Sequence, residues 1–506
     1  MPKTSVLTRR YLGPVRRIER VMPPAGGRCV ALTFEDGPTA APPRPDVRKA
    51  RWPGNSHGPV SGARSAGAGG AGGGSTGITD ILLDVLRTYG AVATFLVIGS
   101  TAENYPDEAG PSGAARRTGL VFDHFPEYGQ DTLAGVENQP ALVRRMLNEG
   151  HELANHSSRH LPLGPGHGLL PSPGAGRKRA ALADAAAAAD VLRLHELVRR
   201  NYAYTMRLAR PPHLVDAFVF EVYAGLGYQY LGTGLDGGGW RATSGSYDND
   251  VERMVLGLQR SLEKDGSSLR GQFVSFHDTY NQSGESPVIT ALPRLMQLFR
   301  NYGYRAVTAS QLLEMSPFAD LAPDHPAFPA AKDLLGRGWW VATRANEVWP
   351  DQAVLRGELA VWTLGSAAPG TAGAKTLADG EVAASAGAGA AESRASVAIY
   401  ADVPAGHAYH QHVETAATRG YWRGIPAAGR RPVAPDARGS RVFGPGDVVK
   451  VSEFCEVMSR AGVPVGDAPR ELAPSPEAGV SRDAVTHAQA LVMIADALSQ
   501  AEGGET

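Results

Sequence analysis

The chain has 506 residues and a formal net charge of −1, from 50 Lys and Arg against 51 Asp and Glu. This length accommodates about two or three domains, each able to bury its own core. With charges balanced and no long run of Lys or Arg, the electrostatic footprint of a nucleic-acid-binding protein is missing, so nucleic acid is not an expected partner. Cys29 and Cys455 fall in different predicted domains, so neither a disulfide framework nor a cysteine metal site is expected, and any metal must use His and carboxylates. No stretch of about 18 consecutive apolar residues occurs, so no membrane span is expected. Residues 1–27 contain Arg9, Arg10, Arg16, Arg17 and Arg20 but no apolar core followed by a small-residue cleavage site, so no secretory signal is visible there and the segment is left without a role.

Beyond this segment, Cys29 to Phe34 reads as a buried strand, Ile78 to Tyr89 as a helix, Ala93 to Ile98 as a strand and Ala141 to Asn148 as a helix. Such β-α-β-α order favours a parallel sheet or barrel. Arg179 to Tyr202 reads as one long helix, followed by a strand near Leu208 that ends before Pro211-Pro212. Its run Ala183 to Ala189 is a surface of high helix propensity. Two Gly/Ala-rich tracts, Ser61 to Gly74 and Gly365 to Ala391, offer no face to pack and read as an insertion and a linker.

Polar residues cluster at the predicted strand ends. Val30-Ala31-Leu32-Thr33-Phe34 runs directly into Glu35-Asp36-Gly37-Pro38, which puts two carboxylates at a strand's carboxyl end, where parallel α/β folds carry their chemistry. The same four residues also suit a plain turn. His156 and His160 stand four apart, on one side of a helical turn or tight loop. Two His and one Asp make an open site for zinc or a similar divalent ion, although histidines at this spacing are also common on surfaces. His277-Asp278 follows the apolar run Phe273 to Phe276, and Arg210 supplies a cation beside the rigid Pro211-Pro212 bend.

In this order and spacing, these elements resemble the family-four carbohydrate esterases, the NodB-homology polysaccharide deacetylases. The family phrase Thr-Phe-Asp-Asp-Gly-Pro appears as Thr33-Phe34-Glu35-Asp36-Gly37-Pro38, and Ala-Thr-Phe-Phe appears as Ala93-Thr94-Phe95-Leu96. The metal motif appears as Gly150-His151-Glu152-Leu153-Ala154-Asn155-His156-Ser157-Ser158-Arg159-His160. The resemblance implies a distorted (β/α) barrel of about seven strands over residues 28–315. It implies a divalent metal, zinc first and cobalt or another ion as alternatives, on Asp36, His156 and His160. Glu35 would be the catalytic base, Arg210 its tether and His277 the general acid, with Pro212, His213, Trp240 and Phe276 against substrate and a backbone N–H near His213 completing the oxyanion site. Three departures stand out. Glu35 replaces Asp at the base position, one methylene longer, and a reacting group displaced by about 1 Å can cost about a hundredfold. His213-Leu214 stands where the family has Tyr and Gly. The phrase Asp-x-x-Asp-Trp reads Asp236-Gly237-Gly238-Gly239-Trp240, without its second Asp.

From Ser316 the chain repeats itself. Phe318-Ala319-Asp320-Leu321 matches Tyr400-Ala401-Asp402-Val403 at an offset of 82, which also carries His325 onto His407, Arg337-Gly338 onto Arg419-Gly420 and Trp340 onto Trp422. Trp349-Pro350-Asp351 through Leu359 has a partner in Phe443-Gly444-Pro445 through Phe454 and a shortened third copy at Val485 to Ala490. This pattern resembles the S-layer-homology domain, which implies an all-α C-terminal domain over residues 316–506, with repeats near 316–364, 398–464 and 465–500. It also implies attachment to a secondary cell-wall polymer. Arg356 is the one cation left at the polymer-binding position, whereas Trp339, Trp340 and Trp349 read first as core contacts. The implied protein is extracellular and wall- or S-layer-associated, and removes acetyl from N-acetylated amino sugars of a wall glycan. The alternatives are an O-acetyl esterase or other amidohydrolase on the same site, and a catalytically weakened wall-binding protein.

Overall fold

A computed structural model describes residues 12, 17–43, 77–100, 133–160, 177–212, 223, 225–240, 246–281, 285–343, 345–364, 400, 402–403, 407, 409–422, 425–426, 441–473, 480–481 and 483–503. Both Gly/Ala tracts, His213 and most of residues 1–16 lie outside that set. Contacts divide the chain into two compact units, one of Ile18–Met315 and one of Ser316–Thr506 together with Met1–Arg17.

The first unit is built on a parallel sheet whose centre is the predicted first strand. β1 (Cys29–Glu35) is buried along its whole length, as a continuous apolar run covered on both faces requires. Its second half pairs in parallel with β2 (Thr94–Val97) and with β7 (Phe273–His277), and its first half with β8 (Arg305–Val307). Outward from β2 come β3 (Glu152–Asn155), β4 (Leu208–Ala209) and β5 (Gln229–Tyr230), while β6 (Leu235–Asp236) pairs with β7. The path β5-β4-β3-β2-β1-β7-β6 is thus a curled parallel sheet of seven strands, with β8 paired to β1 outside it.

Helices cover the strands because their apolar residues recur at helical spacing. α1 (Ile78–Thr88) buries Ile78, Leu82, Leu83 and Leu86, and α2 (Pro140–Asn148) buries Leu142, Val143 and Met146. The long helix α3 (Arg177–Tyr202) turns Val191, Leu194 and Val198 inward. α4 (Tyr247–Lys264) begins at Ser246, whose side chain accepts a hydrogen bond from Asn249 N at 3.2 Å, with Asp248 and Asp250 in the first turn where the helix dipole favours negative charge. α5 (Val288–Asn301) and α6 (Ala309–Met315) complete the unit. Within the sheet, Phe34 stacks on Phe95 at 5.2 Å and on Phe276 at 5.7 Å between ring centroids. Arrangements of this kind add about 0.5–1.5 kcal/mol each beyond area burial.

The second unit is helical, with α7 (Phe328–Gly336), α8 (Arg356–Trp362), α9 (His410–Thr418), α10 (Val451–Arg460) and α11 (His487–Gly503) around a core that includes Phe318, Trp362, Tyr400, Phe443 and Phe454. A short antiparallel pair, β9 (Ile425–Pro426) and β10 (Arg441–Val442), departs from the expected all-α composition. The repeat is legible in its hydrogen bonds. Asp320 accepts from the amides of Val348 and Trp349, and Asp402 from those of Phe443 and Gly444, all at 2.7 Å. His325 Nδ1 accepts from Ala327 N at 3.1 Å and His407 Nδ1 from Tyr409 N at 3.2 Å. The three copies of the second phrase pair cyclically through single bridges, Leu355 with Val448, Lys450 with Ala484 and Ala353 with Thr486. Leu12 joins this unit by a bridge to Thr343 and by donating its amide to the Tyr409 hydroxyl at 2.7 Å.

Arg356, expected at a polymer-binding surface, is instead 5% exposed. Its Nε donates to the Phe443 carbonyl at 2.8 Å, its Nη1 pairs with Glu453, and the guanidinium lies 4.6 Å from the centroid of the Trp422 ring. The planar fork that could have met an acidic polymer ties two copies of the repeat together, because a buried guanidinium needs internal partners for its donors. The third copy is also internal: His487 Nε2 lies 2.8 Å from Glu358 Oε2, and both residues are fully buried.

Candidate active site and metal centre

Parallel strands bring their carboxyl ends together, and this register assembles the site. Glu35 ends β1 opposite His277, which ends β7. Asp36 follows β1, His156 follows β3, Arg210 follows β4, and Asp236 ends β6.

The stretch 150–160 divides by role. His151 is buried, its Nδ1 accepts from Ala93 N at 3.1 Å, and burial pushes it down to about 4, so it is a neutral scaffold group. Glu152 accepts from Thr94 Oγ1 at 2.7 Å and from the Ser310 amide at 3.1 Å. Asn155 turns the chain: its Oδ1 accepts from Ser157 N at 2.8 Å, and its Nδ2 donates to Val191 O at 2.9 Å and to the Tyr228 hydroxyl at 3.0 Å. Asp190 accepts from Ser158 N at 3.0 Å and Arg159 Nε at 2.7 Å, and Ser157 Oγ accepts from His160 N at 2.9 Å. These bonds over-determine a loop in which Ser157 (φ 71°) and His160 (φ 50°) hold left-handed backbone, a cost that persists only where the surroundings enforce it.

His156 and His160 therefore face Asp36. His156 Nε2 lies 3.3 Å and His160 Nε2 3.1 Å from Asp36 Oδ1, and all three residues are buried. His156 Nδ1 lies 2.8 Å from the Arg210 carbonyl, which can only accept, so Nδ1 carries a hydrogen and Nε2 is the atom turned toward Asp36. Neither Asp36 oxygen has a well-formed hydrogen-bond partner among the described residues. Buried acceptors crowded in this way need a cation between them, and two imidazoles with one carboxylate suit a divalent ion of zinc's type. Burial alone would raise Asp36, but the charges and contacts of His160, His156 and His277 outweigh it and hold the carboxyl well below its ordinary value.

Glu35 lies beside this group, its Oε2 3.6 Å from His156 Nε2 and its Oε1 2.6 Å from Arg210 Nη1. Arg210 is fully buried and donates also to Thr33 Oγ1 at 3.1 Å, Leu231 O at 3.3 Å and Gly232 O at 2.6 Å. Burial works against the charge on Glu35, but Arg210 first, then His277 and His156, pull the carboxyl below its ordinary value. His277 reaches within 3.9 Å of Asp36 Oδ2 and its side chain is 25% exposed, so it faces both the site and solvent. The Trp240 ring stands 6.3 Å from it, and Asp236 braces that loop by accepting from Gly238 N at 2.8 Å and from Trp240 Nε1 at 3.4 Å.

The proposed substrate contacts fare differently. Trp240 and His277 line a cleft with Thr279, Tyr280, Asn281 and Pro287. Phe276 does not face it: the side chain is fully buried in the aromatic stack, because strand alternation sends it to the opposite side from Ser275 and His277. Pro212 is buried and is not part of the cleft wall, and His213 lies outside the described residues. No pattern in the sequence marked Tyr280 and Asn281, which follow the strand end as ordinary loop residues, or Thr79, which the fold carries to Asp278 from the first turn of α1.

Residues 71–231 match the model of the polysaccharide deacetylase family. The chain is 25% identical to the chitin deacetylase of Colletotrichum lindemuthianum over 243 residues, 47% of this chain and 75% of that protein. It is 26% identical to the peptidoglycan-N-acetylglucosamine deacetylase of Bacillus cereus over 236 residues, 46% of this chain and 81% of that protein. The solved structure of a Bacillus subtilis peptidoglycan deacetylase aligns at 21% identity and a TM-score of 0.34, covering 62% of this chain and 98% of that one. The family match falls on β2, β3, β4 and β5 and their loops, so this part of the chain is similar to a polysaccharide deacetylase domain.

Proposed function

We propose that this protein hydrolyses the acetamide of N-acetylated amino sugars in a chitin- or peptidoglycan-like wall glycan, using a divalent metal held by Asp36, His156 and His160. The observation that carries the proposal is the buried juxtaposition of these three donors with Glu35, which Arg210 keeps ionised beside them. The two curated relatives, a chitin deacetylase and a peptidoglycan-N-acetylglucosamine deacetylase, support the substrate class. When bound, the metal supplies Lewis acidity at the acetamide carbonyl. Glu35 accepts a proton from the attacking water, the water oxygen forms the new bond to the carbonyl carbon, and His277 delivers a proton to the amine nitrogen as the carbon–nitrogen bond breaks. The products are acetate and the free amino sugar. Arg210 orients Glu35, and Trp240 walls the cleft against the sugar ring.

Acetate release from acetylated chitooligosaccharides and from peptidoglycan, with and without added zinc or cobalt, tests this reading. His156→Ala is expected to abolish both metal binding and acetate release while the sheet unit stays folded. Full metal occupancy in that variant excludes the assignment. Acetate released only from O-acetylated glycan would move the activity to the esterase alternative.

A weakened, wall-binding protein is the second reading, and Gly239 favours it. In place of the second Asp of the family phrase, Gly239 has φ 94°, and a Cβ there would lie 2.7 Å from the Met254 sulfur. A side chain there would have to displace the end of Met254 and adopt a left-handed backbone that favours glycine. Absence of acetate release from every substrate, with metal bound, would select this reading.

We also propose that residues 316–506 are S-layer-homology repeats that hold the enzyme on a secondary wall polymer. The repeated Asp320 and Asp402 brackets and the cyclic bridges support this. The full chain is expected to pellet with wall sacculi and to be released when the secondary polymer is extracted. Equal pelleting with extracted sacculi would exclude polymer attachment.

A further inference from the structure

One buried carboxyl next to the site has no part in the reaction as written above. Asp278 follows the end of β7 and is 1% exposed. Its amide donates to the Glu35 carbonyl at 3.1 Å, and its Oδ2 accepts from Thr79 Oγ1 at 2.9 Å. The carboxylate is pressed on Gly37, where an added Cβ would fall 1.9 Å from Oδ2, so only glycine fits beside it. The Thr79 hydroxyl in turn accepts from Thr39 N at 2.8 Å, and the Thr79 amide donates to Thr39 O at 3.3 Å. Gly37-Pro38-Thr39 is thus gripped at both ends by a pair drawn from β7's end and the start of α1. This segment follows Asp36, whose φ of 78° is a left-handed conformation that a non-glycine residue keeps only when its neighbours impose it. Burial pushes the Asp278 carboxyl up to about 7, against the Thr79 hydrogen bond, and the Asp36 charge adds to the rise.

We propose that Asp278 is a positioning residue which, through Thr79 and Gly37, holds Asp36 in the geometry needed to ligate the metal. The proposal rests on the metal reading above and adds a member that neither the ligand set nor the acid and base include. Groups that orient a ligand without touching the ion typically govern metal affinity by about 10–100-fold.

The test is titration of the metal-free full chain with zinc in competition with a chromophoric chelator, a readout independent of turnover. Asp278→Ala is expected to weaken zinc binding by about 10–100-fold. Thr79→Val should act in the same direction, and the double variant should lose no more than the worse single one, because both act through one contact. Asp278→Asn keeps an acceptor for the Thr79 hydroxyl and should recover most of the affinity. Thermal unfolding of each variant checks the fold, and Thr79→Val carries the test if Asp278→Ala does not fold. Zinc affinity unchanged in Asp278→Ala or Thr79→Val overturns the positioning role, as does an equal loss in Asp278→Asn and Asp278→Ala. A wild-type chain whose zinc binding does not depend on His156 overturns the metal reading itself, and this proposal with it.

Discussion

Glu35→Gln is expected to lower acetate release by about 10²–10⁴-fold, the range associated with loss of a general base, while zinc binding stays intact. Gln keeps the size of the side chain and an oxygen that can accept from Arg210 Nη1, now 2.6 Å away, but it cannot take a proton from water. The ligands Asp36, His156 and His160 are untouched, so affinity for zinc separates loss of the base from loss of the metal. Glu35→Asp gives the complementary reading. A rise in rate means that the extra methylene displaces the carboxylate from its best position, and a fall means that Arg210, Thr33 and the loop after β4 have adjusted to the longer chain. Activity unchanged in Glu35→Gln, with metal bound, removes the base role and the mechanism built on it.

Arg210→Met should destabilise the first unit by about 3–5 kcal/mol, the usual consequence of removing one partner from a buried ion pair. Several effects act together. Glu35 stays buried without its counter-charge, so burial pushes its carboxyl up toward the protonated form. The carbonyls of Leu231 and Gly232 and the Thr33 hydroxyl lose their donor inside the protein. Equilibrium urea unfolding measures the loss, and adding Glu35→Gln to Arg210→Met should recover part of it by removing the stranded charge. Arg210→Lys should not substitute, because one ammonium cannot reach four acceptors in the directions that the planar guanidinium serves. A loss below about 1 kcal/mol would mean that water enters and solvates Glu35, as it does at surface pairs.

Much of the first unit was legible in the chain itself. The run Cys29 to Phe34 had to be a doubly buried strand, since six consecutive residues with no charge leave no face for solvent. The spacing of Ile78, Leu82 and Leu86 could bury one face only as a helix. The order of these elements then called for parallel strands, and parallel strands end on one side. Glu35-Asp36 and His277 were accordingly readable at strand ends, and the resemblance to the family motifs joined them to His156, His160 and Arg210 as one group before any coordinate was known. The repeats were legible for a similar reason, because an offset that carries Asp320 onto Asp402 reproduces the same amide bracket in each copy.

Contacts between residues distant in the chain belonged to the tertiary structure alone. Phe276 and His277 are neighbours, yet strand alternation sends one into the aromatic stack and the other toward Asp36, and sequence does not say which face is which. Arg356 looked available to a polymer because its partners Glu453 and Trp422 lie far along the chain, and the cyclic pairing of the repeats is what buries it. Asp278 could be seen beside His277 but given no task, since Thr79 and Gly37 reach it only once α1 and the end of β1 pack together. Local pattern determines which residues form strands and helices, because it depends on backbone sterics and on the burial of apolar faces. Which polar groups meet depends on where the packed strands end and how their loops close, and that is settled only when the core has formed.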